Sequence, residues 1–279
     1  MDIISFLRPF VNPLFPLFYN FINNIQILSV LFGAPEEELS LKNAIVFIPV
    51  FKAFAIAFQI GIWYDFFDMK SLNKGERTMK EYTILRRTEP LDWSKIPSLV
   101  ISEPLRPQHA NVPVKAQAQI CYDDEALYVR LTAVEEHIRA EHHGPLGEIC
   151  EDSCLEFFFC PIAGDPRYFN IECNPNGALY LGLATNGHNL VRFIPEEPSI
   201  LPQPKYTDGG WEVTYTVPYT FIRQFFPGFA PVPGYSIRAN CYKCGDLTVQ
   251  PHCLCWNPVP ILPYASFHDP EAFGLMHFA

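Results

Sequence analysis

The sequence predicts an all-β fold, an antiparallel and jelly-roll-like β-sandwich over residues 79–279, preceded by an apolar N-terminal segment of helical potential over residues 1–78. Three observations carry this expectation. Apolar residues after Val112 recur with period two or in short runs, not at helical spacing. Turn residues, drawn from 27 Pro and 15 Gly, punctuate those runs. A content of 49% hydrophobic and 15% aromatic residues is enough to bury a substantial core.

The elements follow in chain order. Residues 114–122 (VKAQAQICY) alternate, Asp123-Asp124-Glu125 makes an acidic turn, and residues 126–134 (ALYVRLTAV) are rich in strand formers. Residues 153–160 (SCLEFFFC) form an apolar run with one charge, Glu156. Residues 168–173 (YFNIEC) alternate, and Asn174-Pro175-Asn176-Gly177 is a strong turn leading into residues 178–184. Gly209-Gly210 precedes the alternating residues 211–217 (WEVTYTV). Residues 236–242, 253–256 and 273–278 complete the strands, and residues 219–226 alone hint at a short helix. Short strands at this spacing indicate two packed antiparallel sheets.

The net charge of −10 argues against binding a phosphate backbone, which needs clustered Lys and Arg, and no nucleic-acid partner is expected. A neutral ligand is compatible with it. All nine Cys follow residue 120, and an odd number leaves at least one thiol unpaired in a monomer. Several sit in apolar runs where Cys behaves as a small hydrophobe, so free thiols in a reducing compartment are expected.

Residues 1–78 are unlike the rest, holding 12 of the 24 Phe and no Cys. The apolar run over residues 44–67 has the length of a membrane span, but Pro49 and the central Lys52 oppose one. Pro9, Pro13 and Pro16 interrupt the earlier apolar stretch, and no basic region marks a signal peptide. Lys74-Gly75-Glu76 can be encoded by DNA that contains a bacterial ribosome-binding sequence, placed at the usual distance before Met79. The preferred expectation is a native chain that starts at Met79 and is cytoplasmic. The rival is a membrane anchor in a chain that starts at Met1.

Several segments, in order, resemble the family 9 carbohydrate-binding modules: residues 122–129 (YDDEALYV), 151–158 (EDSCLEFF), 168–174 (YFNIECN), 211–213 and 237–242, then Trp256 and residues 266–274 (SFHDPEAFG). The resemblance covers roughly residues 80–279 and implies a β-sandwich that binds a mono- or oligosaccharide without cleaving it. In such modules two facing aromatic rings hold the sugar while polar groups read its hydroxyls. Sugar C–H faces pack on rings, and each buried hydroxyl needs a partner.

Carried over position by position, the resemblance implies that Phe267 is one clamp ring, that Glu156 receives sugar hydroxyls, and that Asn170 and Tyr242 line the same face. The second clamp position falls near Cys150, where no aromatic stands, and Tyr264 is the nearest substitute. The resemblance also implies a structural calcium ion, without placing its ligands; no other cofactor is required.

Each residue has a plainer reading. Glu156 either faces a ligand or surface or is paired inside. Phe267 and Tyr242 serve equally as packing and outward strand residues. Asn170 and Glu172 alternate with Phe169 and Ile171, and a solvated sheet face is the expectation for Glu172. Trp93, Trp211 and Trp256 are expected in packing roles. The acidic turn at Asp123, Asp124 and Glu125 solvates a loop, with calcium as the minor alternative. His142-His143 reads as a loop whose rings point different ways. Cys241, Cys244, Cys253 and Cys255 have the ligand count of a zinc site, but the one-residue spacing of the second pair fits no common knuckle, and buried thiols of a hairpin are preferred.

No Ser-His-Asp elbow, phosphate loop, dinucleotide fingerprint or His-Glu-x-x-His occurs. Glu156 and Glu172 lie on neighbouring strand-like runs and could face each other as glycosidase carboxylates do. Three functions stay open: a free-standing saccharide binder, a membrane-tethered sugar-capturing module accessory to a glycoside hydrolase in polysaccharide catabolism, and a sandwich that lost sugar binding and now serves as an interaction protein.

Overall fold

The computed structural model describes residues 79–145, 147–185, 189–260 and 266–279. Segment 1–78, with the apolar run 44–67, and Tyr264 lie outside the described residues. Among the described residues no helix is long and apolar enough to cross a membrane.

Among the described residues, fourteen strands and one α-helix carry the fold. They are β1 (Glu81–Arg86), β2 (Leu99–Ile101), β3 (Glu103–Pro104), β4 (Lys115–Tyr122), β5 (Ala126–Val134), β6 (Cys154–Cys160), β7 (Tyr168–Cys173), β8 (Leu179–Thr185), β9 (Asn189–Arg192), β10 (Gln203–Thr207), β11 (Gly210–Pro218), α1 (Tyr219–Phe225), β12 (Ser236–Gly245), β13 (His252–Cys255) and β14 (Gly274–Phe278). The main path runs β10-β11-β5-β4-β1-β14-β12-β6-β7-β8-β9; β2 pairs with β4, β13 with β12, and β3 with β13.

The expectation of a purely antiparallel sandwich is corrected here. The strands form one continuous mixed sheet, curled so that its two halves enclose a common core. β1 joins the halves: its residues 81–84 pair in parallel with β14, and Leu85 and Arg86 pair in parallel with β4. Parallel neighbours require long crossovers, and both are present: β14 is the last strand, and β2 and β3 intervene before β4.

Local sequence explains the local turns. Between β4 and β5, Asp123 Oδ1 accepts from the Glu125 and Ala126 amides at 2.9 and 3.0 Å, a side chain closing its own turn. Between β7 and β8, Asn174 Oδ1 accepts from Asn176 N at 3.0 Å and Ala178 N at 2.9 Å, and Gly177 takes φ 76°, a conformation side chains resist. Gly274 lets β14 pass under Trp256, where an added Cβ would lie 2.6 Å from the indole.

Along β11 the pattern alternates: Trp211, Val213, Tyr215 and Val217 are buried, while Glu212, Thr214 and Thr216 are half-exposed. Their inner residues meet Leu127, Val129 and Leu131 of β5 and, from the other half, Phe157, Phe159, Phe169 and Ile171. Each fully buried Phe of this kind contributes about 1.5–3 kcal/mol. β6 and β7 are buried at every position, because their outer face is covered as well.

A buried polar network ties strand ends of the two halves. The fully buried Lys243 of β12 lies 3.2 Å from Glu135 Oε2, and its Nζ donates to Cys244 O at 2.8 Å. Trp211 Nε1 donates to Glu135 Oε1 at 2.7 Å. His252 Nδ1 faces Gln250 O, a pure acceptor, at 2.8 Å, so that nitrogen carries the proton and Nε2 accepts from Lys243 at 2.9 Å. Burial and then the Lys243 charge push the His252 pKa down to about 4.

Candidate functional site

The outer face of β6, β7 and β12 holds the predicted residues. Leu155, Phe157 and Phe159 of β6 point into the shared core. Period two therefore sends Cys154, Glu156 and Phe158 to the opposite face. The same parity puts Tyr168, Asn170 and Glu172 of β7 there, with Asn240, Tyr242 and Cys244 of β12. Register then fixes the neighbours. Glu156 pairs with Tyr242 on one side and Glu172 on the other, Asn170 pairs with Phe158, and Glu172 with Tyr180.

Glu156, Asn170 and Tyr242 come together on this face, but all three are buried, at 2%, 0% and 0% exposure. Phe267 joins them from the loop before β14. Its ring stacks on Tyr242 with centroids 3.9 Å apart and planes 22° apart, and Tyr242 Oη donates to Phe267 O at 3.0 Å. Tyr242 is thus the support beneath Phe267. Phe158 meets the Tyr242 ring edge-on at 4.9 Å and locks it from the side. Phe267 itself is half-buried and keeps part of its surface open.

The sequence reading of Glu172 as a solvated residue is corrected: it is 6% exposed and stands opposite Glu156. Cys154 Sγ lies 3.8 Å from Glu156 Oε1, and Asn170 Nδ2 donates to Glu172 Oε1 at 2.9 Å. Asn170 Oδ1 is buried with no hydrogen-bond partner, a costly state that a ligand hydroxyl would relieve. Burial, then the neighbouring Glu172 charge, raises the Glu156 pKa well above the carboxylate range. Burial raises Glu172 to about 7, against the lowering effect of the Asn170 hydrogen bond. The pair therefore holds protons near neutrality and offers both donors and acceptors.

Two further residues escaped the sequence reading. Tyr180, 8% exposed, flanks Glu172, and the Arg192 guanidinium lies 3.8 Å from its ring centroid. Arg192 is held by Glu148 Oε1 and Gly147 O, each at 3.0 Å, while its Nε is buried and unpartnered. The cue was the register of the β7–β8 hairpin, which sets Tyr180 beside Glu172. Cys150 and Cys253 pack with Phe267 against the cluster of Cys154, Tyr180 and Cys244. Cys150, the position at which the resemblance implied a second ring, thus borders the same cluster with a thiol.

The four zinc candidates do not share a point. Cys241 faces the core, whereas Cys244 pairs across strands with Cys253, and Cys255 Sγ donates to Glu103 O at 3.3 Å. All nine thiols are free. The acidic turn does not fit calcium, because Asp123 Oδ2 is taken by Arg87 Nε and Tyr128 Oη, both at 2.7 Å, and its other oxygen by two amides. Trp211 and Trp256 are buried as expected, and His142 Nε2 meets Glu151 Oε2 at 2.9 Å within its loop.

The profile of carbohydrate-binding family 9 matches residues 87–278. Among solved structures, a candidate carbohydrate-binding protein of Bacteroides uniformis ATCC 8492 is 23% identical, with a TM-score of 0.63 over 72% of this chain and 100% of its own. Family 9 modules of Caldicellulosiruptor kristjanssonii in complex with glucose and with cellotriose are each 12% identical with TM-scores of 0.51. The glucose complex covers 72% of this chain and 96% of its own, and the cellotriose complex 71% and 93%. No curated protein matches the chain. The family match, over more than half of the chain, defines a module of the carbohydrate-binding class. The chain belongs to carbohydrate-binding family 9, a family of non-catalytic modules.

Proposed function

We propose that this protein binds a neutral mono- or oligosaccharide on the outer face of β6, β7 and β12. The observation that carries the reading is the polar row of Glu156, Glu172 and Asn170, with an unpaired Asn170 Oδ1, set into an otherwise aromatic and thiol-lined face. A sugar C–H face packs on the open surface of Phe267, which Tyr242 holds in place. Hydroxyls meet the acid pair, which donates through its proton and accepts through its other oxygens, and one hydroxyl donates to Asn170 Oδ1.

The two carboxyl groups stand side by side on one sheet face. Glycosidase carboxylates flank the scissile bond. The arrangement is thus one for holding a sugar. A role beside a glycoside hydrolase as a tethered capture module requires residues 1–78 to be part of the native chain, and the intact mass of protein from its native source decides this.

Near-complete burial of Glu156, Asn170 and Tyr242 favours a second reading, in which the sandwich serves as an interaction protein. Calorimetric titration with glucose, xylose, cellobiose and xylobiose separates the two. Saturable heat that Glu156→Ala and Phe267→Ala abolish supports saccharide binding. A folded protein that takes up none of these sugars supports the second reading.

A further inference from the structure

We infer that the protein carries a second saccharide-binding groove on the outer face of the opposite half-sheet, formed by Trp93, Tyr128, Ser199, Gln203, Thr214 and Thr216. The Glu156 face looks outward from β6, β7 and β12. The groove looks outward from β5 and β11, whose inner residues Val129, Val213 and Val217 lie in the shared core. The two sites are therefore separated by the thickness of the fold, and neither needs the other's residues.

The groove has a cleft volume of about 320 Å³, at the small end of the range for small-ligand sites, roughly 300–1,000 Å³. Its lining contains no charged side chain, in a protein of net charge −10. What remains is two large rings, a few apolar walls, the Thr214 and Thr216 hydroxyls and the Gln203 amide, which donate and accept, and the Tyr128 and Ser199 oxygens, which accept because their protons go to Asp123 and Glu197. Sugars present the same mixture: C–H faces for rings, and hydroxyls that donate and accept. The cations nearest the groove, Arg87 beside Tyr128 and Arg130 beside Thr214, are already paired with Asp123 and Glu212, so a charged metabolite finds no unpaired counter-charge in the lining. A proline-rich peptide is recognised mainly through aromatic-lined grooves, and four of these six residues are hydrogen-bonding side chains instead.

Each wall is fixed before any ligand arrives. Tyr128 Oη donates to Asp123 Oδ2 at 2.7 Å, and the Arg87 guanidinium lies 4.6 Å from the ring centroid, itself paired with Asp123 at 2.7 Å. The Trp93 turn is capped by Asp92 and tied to β4, where Gln119 Nε2 donates to Trp93 O at 2.8 Å. The Pro198–Ile200 turn is capped by Glu197, whose Oε1 accepts from Ser199 N at 3.2 Å and Oγ at 2.8 Å, and Ile200 anchors it with no exposure. Thr214 and Thr216 project from the regular strand β11. A preformed aromatic and hydroxyl surface binds without the entropy loss of ordering its own side chains.

The test is calorimetric titration of the full chain with cellotriose, xylotriose and maltotriose, beside Trp93→Ala and Thr216→Lys. Thr216→Lys projects a charged side chain from an outward strand position and leaves the core untouched. The expected result is two binding events with at least one of these sugars. Both variants weaken the same event, roughly tenfold or more for the lost ring, and leave the other unchanged. A single event that both variants leave unaltered overturns the groove and leaves the Glu156 face standing. Heat that survives Glu156→Gln and Phe267→Ala but falls in Trp93→Ala keeps the groove and removes the Glu156 face. Absence of heat with all three sugars, or binding of a polyproline peptide that Thr216→Lys abolishes, overturns the saccharide groove.

Discussion

Glu156 and Glu172 stand directly opposite each other across β6 and β7, both buried on the face that Phe267 overlies. Burial, and for Glu156 the neighbouring Glu172 charge as well, keeps protons on the pair to higher pH than in an unfolded chain. A native state that retains protons the unfolded chain has released loses stability as pH rises. For Glu172 the window runs from about 4.5 to about 7. Glu172→Gln removes this penalty, so the variant unfolds at higher temperature than wild type at pH 8, by on the order of 1–3 kcal/mol of stability. Melting temperature against pH checks it; parallel curves for both proteins would contradict it.

His252 acts in the opposite sense. Its folded pKa of about 4 lies below the ordinary 6.5, so the unfolded chain binds the extra proton. Its contribution is complete above 6.5 and is lost as pH falls toward 4. His252→Gln therefore shows a shallower loss of stability across that interval, read from urea unfolding at successive pH values.

Lys243 and Glu135 form an ion pair with almost no water contact, at 0% and 3% side-chain exposure. Removing one partner leaves the other charge buried and uncompensated, a loss of about 3–5 kcal/mol. Glu135→Ala is expected to lower the urea midpoint sharply. Replacement of both residues by apolar ones of similar volume is expected to recover much of that loss. A double variant as weak as the single one would show that the charges themselves are required.

Tyr242→Phe keeps the ring under Phe267 but deletes the hydrogen bond to Phe267 O. The expected loss of stability is about 0.5–1.5 kcal/mol, with saccharide affinity reduced and not abolished, because the platform loosens without disappearing. Phe267→Ala removes the platform and is expected to cost tenfold or more in affinity. Equal affinities in wild type and both variants would contradict the role given to this stack.

With all nine thiols free, reactivity follows burial. Cys150 and Cys253 are half-buried, and the other seven are buried. A thiol reagent is expected to label Cys150 and Cys253 first in the native protein and all nine after unfolding. Peptide mapping of the labelled sites checks this, and early labelling of Cys173 or Cys241 would contradict it.

The sequence shows most of the strands and the polarity of β11, because alternation reports directly on a sheet with one wet face. It also places Glu156, Asn170, Tyr242 and Phe267 on segments that do converge. It misreads Glu172, because alternation with Phe169 and Ile171 marks it as pointing away from the core, and away from the core usually means toward water. Here the outer face is covered by Phe267, from a segment distant in the chain, and by Cys150 of the turn before β6, and such coverage leaves no signature in the alternation of β7. The unbroken run around Glu156 was the available cue, since a strand buried on both faces loses its alternation. The parallel pairings of β1 were likewise beyond reach, because period two fixes a strand's faces and not its neighbours.

A structure of the protein with glucose or cellotriose bound tests the central claim most directly. The account predicts a sugar ring against Phe267, with hydroxyls within hydrogen-bond distance of Glu156 or Glu172 and of Asn170 Oδ1. Sugar found elsewhere, with the Glu156 face still closed under Phe267 and Asn170 Oδ1 still unpaired, would contradict it.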